Sequence, residues 1–206
     1  MSVRRRRLIF TAPTLAAAFV FGMAQALGQN AYISNFGDGT VSVIDTATNT
    51  VVATISVGGG PTGVAVNSDG SKAYIANHPS GPLAVIDTAT NAVVASYNTG
   101  NGQGVGITPD GAKVYVANTG SCTVSIIDTA TNTMIQPLVA DCYPVGVAIA
   151  PDGSKAYIAH QDSTNVSSID TTTNAITFFA VGGYHNGIAI SPDGSTIYLR
   201  TTLIKM

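Results

Sequence analysis

The stretch Ile127-Asp128-Thr129-Ala130-Thr131-Asn132 decides the fold because it is one of four copies. The same hexad runs from Ile44 to Asn49 and from Ile86 to Asn91, and it returns as Ile-Asp-Thr-Thr-Thr-Asn from Ile169 to Asn174. Its aspartates, Asp45, Asp87, Asp128 and Asp170, stand 42, 41 and 42 residues apart. Two further markers keep this step. Asp-Gly pairs begin at Asp69, Asp110, Asp152 and Asp193, and a tyrosine opens a short apolar run at Tyr32, Tyr74, Tyr115, Tyr157 and Tyr198. Markers locked to one period in the low forties define an internal repeat, and that period points to propellers or helical arrays.

One repeat, Pro144 to Ala180, shows the unit. Val145 to Ala150 is a continuous apolar run, as expected of a strand buried on both faces. Pro151-Asp152-Gly153 supplies a preset φ and then the positive φ of a tight hairpin. A second strand, Ala156 to Ala159, leads through the polar loop Gln161 to Asn165 to a third, Val166 to Asp170. Thr171 to Asn174 forms the next turn, and Ala175 to Val181 the fourth strand. We label these repeat positions A, B, C and D. A helical repeat is excluded by the density of Gly, Thr and β-branched residues and by the closely spaced turn signals. Four short antiparallel strands cannot bury both faces of their own sheet, whereas sheets stacked around an axis can. The fold class is therefore all-β, a β-propeller of four-stranded antiparallel blades with about four repeats. A β-solenoid is the runner-up.

Tyr74-Ile-Ala-Asn77 and Tyr115-Val-Ala-Asn118, the preceding Ser-Asp-Gly or Pro-Asp-Gly turn and the following Ile-Asp-Thr-Ala-Thr-Asn resemble the YVTN family of β-propeller repeats. The resemblance covers Ala31 to Leu199; Tyr157-Ile-Ala-His160 and Tyr198-Leu-Arg-Thr201 depart from it at the Asn position. It implies a bladed propeller, often seven-bladed, in an exported or surface protein, and it implies no single chemistry.

The order of strands reads BCD, ABCD, ABCD, ABCD, AB, where a seven-bladed ring would need about 28. Strand A of the last repeat could join the opening B, C and D to close a four-bladed ring. The alternatives are an open arc that pairs with a second chain, and a truncated reading of a longer propeller, suggested by the ending Leu203-Ile-Lys-Met206. The arc or the truncation is favoured, because blades shaped for a seven-fold ring splay too widely for a four-fold one. An open arc exposes two apolar sheet faces, so a homodimer through the open ends is expected.

Residues 1–26 stand outside the repeat. Arg4 to Arg7 form a basic start, Leu8 to Met23 is mostly apolar, and Ala24-Gln25-Ala26 supplies small residues for cleavage. This is the plan of a secretory signal peptide, leaving residues 27–206 as the repeat domain of a periplasmic or extracellular protein. The arginine run fits both general secretory and twin-arginine export. After removal, five Lys and Arg face eleven acids, all of them Asp. Such a surface repels phosphate backbones, so nucleic acid is not an expected partner. No later segment could span a membrane.

The A–B and C–D turns barely vary, and with alternating strands they share one face of the ring. The B–C and D–A loops share the other face and differ from repeat to repeat, so ligand contacts are expected there. The candidates are His78, Asn101, Gln103, Tyr143, His160, Asp162, Tyr184 and His185. The three histidines come from separate repeats and show no metal-ligand spacing, so no metal, cofactor or catalytic residue is assigned. His185 sits where the resembling family often places a Pro-His-Gly-like turn. The recurring aspartates are read as turn caps. Cys122 and Cys142, the only cysteines, are expected to form a disulfide in an exported chain. Counting outward from the Asp128–Thr133 turn sets Cys122 opposite Val139, three residues short of Cys142. The expected function is a non-enzymatic scaffold binding a protein or surface ligand. The alternative is an enzyme or enzyme subunit of the lactonase or quinone- or haem-dependent dehydrogenase kind.

Overall fold

The computed structural model describes residues 30–202, so the leader expected over residues 1–26 and the tail ending at Met206 lie outside the described residues. Among the described residues, seventeen strands fall into five antiparallel sheets. The first holds β1 (Asn30–Asn35), β2 (Thr40–Asp45) and β3 (Thr50–Ser56). Three four-stranded sheets follow. They are β4 (Pro61–Val66), β5 (Lys72–Asn77), β6 (Leu83–Asp87) and β7 (Ala92–Tyr97); then β8 (Gly102–Ile107), β9 (Lys113–Asn118), β10 (Thr123–Asp128) and β11 (Thr133–Val139); then β12 (Pro144–Ile149), β13 (Lys155–His160), β14 (Asn165–Asp170) and β15 (Ile176–Ala180). The last sheet holds β16 (Tyr184–Ile190) and β17 (Ile197–Thr202). The expected order of strand positions is met in full. Strand β16 pairs with β17 and not with β1, so the sheets form a partial propeller that does not close.

Three residues of the recurring hexad have separable parts in the hairpin. Asp128 accepts hydrogen bonds from the backbone N–H of Ala130 and Thr131 at 3.0 and 2.9 Å, holding the turn. Asp45 and Asp170 cap their turns in the same way. The closing asparagines, Asn49, Asn91, Asn132 and Asn174, have φ of 54–59°, a left-handed conformation that asparagine tolerates better than most residues. Thr129 Oγ1 donates to the Gly111 carbonyl at 2.6 Å, tying the C–D turn to the A–B turn of the same sheet. Thr88 and Thr171 repeat that bond to Gly70 and Gly153. Both turns therefore lie on one face.

The packing between sheets has a direction. The tyrosine side of each sheet meets the aliphatic side of the next. Tyr32, Val41, Val43 and Ile55 pack on Ala73, Ile75, Ala84 and Ile86. Tyr74, Leu83 and Val85 meet Val114, Val116 and Ile127, and Tyr115, Val124 and Ile126 meet Ala156, Ile158 and Ile169. Fully burying one such aliphatic side chain stabilises by roughly 1.5–3 kcal/mol. The A-position strands β4, β8, β12 and β16 lie side by side at the inner edge, and β3, β7, β11 and β15 form the exposed outer edge. At the inner edge a Cβ on Gly104 would stand 2.5 Å from the Val145 carbonyl oxygen, and one on Gly63 2.6 Å from that of Gln103. The recurring glycine is what lets adjacent inner strands approach.

Candidate functional site

The variable face carries the B–C and D–A loops, and its most built region lies where the third sheet meets the fourth. Here the loop after β11 runs Asp141-Cys142-Tyr143 into β12. One Asp141 carboxylate oxygen accepts from Ser163 Oγ at 2.5 Å and from Asn165 Nδ2 at 3.0 Å, and the other accepts from the Cys142 backbone N–H at 2.9 Å. These bonds, led by Ser163, hold the Asp141 carboxyl below its ordinary range. The D–A loop is thereby fastened to the B–C loop of the fourth sheet. The Gln161 N–H donates to the Tyr143 carbonyl at 2.8 Å, completing the strap.

Two residues here adopt conformations that are otherwise left to asparagine and glycine among the described residues: Cys122 at φ 53° and Tyr143 at φ 51°. Such positions cluster at ligand clamps, since the surrounding structure must hold them there. Tyr143 is 46% exposed and Val139 76% exposed, so the strap presents an aromatic and an aliphatic side chain outward.

Cys122 Sγ and Cys142 Sγ lie 2.9 Å apart as free thiols. The hydrogen bond with Cys122 raises the Cys142 thiol above its ordinary value. The register is one residue off the expected count: Thr123 faces Val139, and Cys122 accepts from the Ala140 N–H. The cause is a bulge in the pairing between Val124 and Ile126, which symmetric counting from the turn does not include.

The other candidates are scattered along the face. His160 is fully buried and its Nε2 lies 2.7 Å from Ser167 Oγ. The same seven-residue reach joins Asn35 to Ser42 and Asn118 to Ser125, each at 2.9 Å. His160 thus fills the asparagine's bracketing position between strands B and C. Burial pushes its imidazole down from the ordinary value, opposed by the charge of Asp141 and reinforced by His185. His185 is 1% exposed, with neither ring nitrogen hydrogen-bonded. Ser167 and His160 pair as a nucleophile–base couple would, but no Asp141 carboxylate oxygen bonds the ring. Ser167 is also fully buried, so no substrate could reach the hydroxyl. Gln103 accepts from Thr119 Oγ1 at 2.9 Å, and Asn101 accepts from the Thr119 N–H at 3.0 Å. His78, Asn101 and Tyr184 are half-buried, and Asp162 is exposed. Among the described residues no group of three or more His, Cys, Asp or Glu side chains stands together as a metal site.

The amino-acid sequence alone did not single out Asp141. Its signal was that no other D–A loop carries a carboxylate. It also gave no sign of two open clefts on the opposite, invariant face, of about 210 and 480 Å³. One is lined by Asp69, Lys72, Tyr74 and Asp110, the other by Asp152, Lys155, Tyr157 and Asp193. At the junction between them, Lys113 Nζ instead donates to the Thr171 carbonyl and to Asn174 Oδ1. The clefts repeat the framework and so follow from the blade geometry.

No protein-family model matches the chain. A PE-PGRS family protein, PE_PGRS18 of Mycobacterium tuberculosis, is 54% identical over 46 residues, which are 22% of this chain and 10% of that protein. Hydrazine synthase of Kuenenia stuttgartiensis has a similar structure, with a TM-score of 0.76 and 26% identity over 82% of this chain and 51% of the other. A functionally unknown protein from Desulfotomaculum acetoxidans gives a TM-score of 0.72 at 20% identity, over 84% of this chain and 59% of its own. The chain thus spans a small part of the curated relative and between half and two thirds of these two structures.

Proposed function

We propose that the chain is an exported propeller of the YVTN kind that binds a protein or a surface-displayed ligand through the loops of its variable face. The strap from Val139 to Pro144 is the centre of that contact. The observation that carries this reading is Tyr143, half-exposed and held in a left-handed conformation by bonds at both ends of its loop. Ordering the loop in advance lowers the entropy lost on binding, and aromatic side chains dominate contact energies. His78, Asn101, Gln103, Asp162 and Tyr184 extend the surface, while His160 and His185 support it from beneath. In an oxidising compartment Cys122 and Cys142 close into a disulfide that fixes the strap further.

A photo-cross-linking side chain at position 143, compared with one at position 131 on the invariant face, tests the reading in the cells that make the protein. A discrete adduct from position 143 alone is expected; equal adducts from both positions, or none from 143, would remove the strap from the function. Export is checked separately by the mature N-terminus, expected immediately after Ala26. Recovery of the chain in the cytoplasm with Met1 in place would rule it out.

A second reading, that the chain is one part of an enzyme assembly, is favoured by the likeness to hydrazine synthase. It is distinguished by whether the cross-linked partner carries a redox or hydrolytic cofactor.

A further inference from the structure

The two ends of the arc carry opposite halves of the junction that joins its sheets. On the face of β1–β3 turned away from the second sheet, which no other described strand covers, Ala31 stands opposite Ile44 and Ile33 opposite Ser42. In β13–β14, Ala156 stands opposite Ile169 and Ile158 opposite Ser167, which is the same four residue types in the same register. There all four are fully buried, most of them in the cluster that the tyrosine side of the third sheet closes. At the first sheet Ile33 is 49% exposed, and Ala31, Ser42 and Ile44 are only partly covered.

The other end is the counterpart. Tyr198 pairs with Ala189 as Tyr74 pairs with Ala65 and Tyr157 with Ala148. It therefore holds the position from which Tyr74 and Tyr115 reach the next sheet. Tyr74 and Tyr115 are 3% and 0% exposed, whereas Tyr198 is 62% exposed. One end offers an aliphatic face lacking its tyrosine, and the other offers a tyrosine lacking its aliphatic face.

We propose that a second copy of this chain docks head to tail, its β16–β17 sheet stacking on β1–β3 and continuing the junction already used three times between Tyr32 and Ile169. The contact is heterologous, joining two different surfaces, so it closes into a ring where the rotation permits and otherwise extends as a chain of copies. Apolar sheet faces of this kind are rarely left open to water. This assembly is independent of the loop reading above, because neither Ile33 nor Tyr198 belongs to the variable-face strap.

The polarity of the contact makes it testable with two charged substitutions, Ile33→Asp at the head and Tyr198→Asp at the tail. Sedimentation of the full chain over a range of concentrations is expected to show self-association, and each variant alone is expected to sediment as a monomer. An equimolar mixture of the two is expected to form a heterodimer, since I33D keeps an intact tail and Y198D an intact head. A wild-type chain that is monomeric throughout overturns the proposal, as does association that survives in both variants. A mixture that stays monomeric also overturns it. Circular dichroism checks that each variant folds, and Ile33→Ser with Tyr198→Ser repeats the test if an aspartate is not tolerated.

Discussion

Asn132 ends its hairpin at φ 54°, and the choice of residue there has a measurable cost. A β-branched side chain in that conformation crowds the following carbonyl by about 1–2 kcal/mol. Asn132→Val is therefore expected to lower the unfolding free energy measured in urea by that amount, while Asn132→Gly leaves it nearly unchanged. Equal loss in both variants would show that the asparagine side chain, not its backbone, is what the turn needs. His160 poses a different question, because it occupies an asparagine's place while carrying a titratable ring. Burial depresses its folded value below the ordinary 6.5, so the unfolded chain takes up the proton first. Its contribution to stability is complete above 6.5 and is lost as pH falls through the lowered folded value. Ser167, Asp141 and His185 are the groups set against the ring. His160→Asn restores the bond that Asn118 makes to Ser125 and removes the titration. Relative to this variant, the wild-type urea midpoint is expected to fall as the pH is lowered from 7 through the ordinary 6.5 and beyond. A constant difference across that interval would contradict the assignment.

At the scale of elements, the inner strands depend on a glycine that touches its neighbour rather than on one that turns. The Gly104 Cα faces the Val145 carbonyl across the sheet junction, and a methyl group there has 2.5 Å of room. Gly104→Ala is expected to cost about 1–3 kcal/mol by forcing the inner strands β8 and β12 apart. Gly70→Ala, which meets no neighbour, tests the separate cost of a positive φ. Similar thermal shifts in the two would argue against close approach as the reason for Gly104. The strands themselves were legible in the sequence, because period, turn chemistry and apolar runs agreed in every repeat. The bulge between Val124 and Ile126 has its one sequence signal in Pro137 of the facing strand, which lacks the N–H of a regular ladder, and symmetric counting from the turn does not register it. The candidate site was legible only as a face. Which loop is strapped, and that His160 and His185 turn inward, depends on contacts between residues some 20 positions apart, such as Asp141 with Ser163.

For the whole molecule, stability is distributed over repeated turns rather than held in one place. Asp69, Asp87, Asp110, Asp128, Asp152, Asp170 and Asp193 are all held below the ordinary 3.8 by hydrogen bonds to the turns they cap. Asp193, bonded first to Ser191, falls to about 2. Lowered carboxylates stabilise the fold above the unfolded value, and that support is lost as pH falls through the folded one. The urea midpoint is accordingly expected to decline steeply from pH 3.8 towards 2. No change over that range would mean that the caps do not couple to folding. The junctions between sheets have one more consequence. The chain has no tryptophan, so its near-ultraviolet signal belongs to its eight tyrosines. Tyr115, sealed between the third and fourth sheets, has its phenol pushed up to about 12 by burial. Absorbance at alkaline pH therefore separates sheets that have parted from sheets still stacked, giving an unlabelled optical record of how the arc comes open.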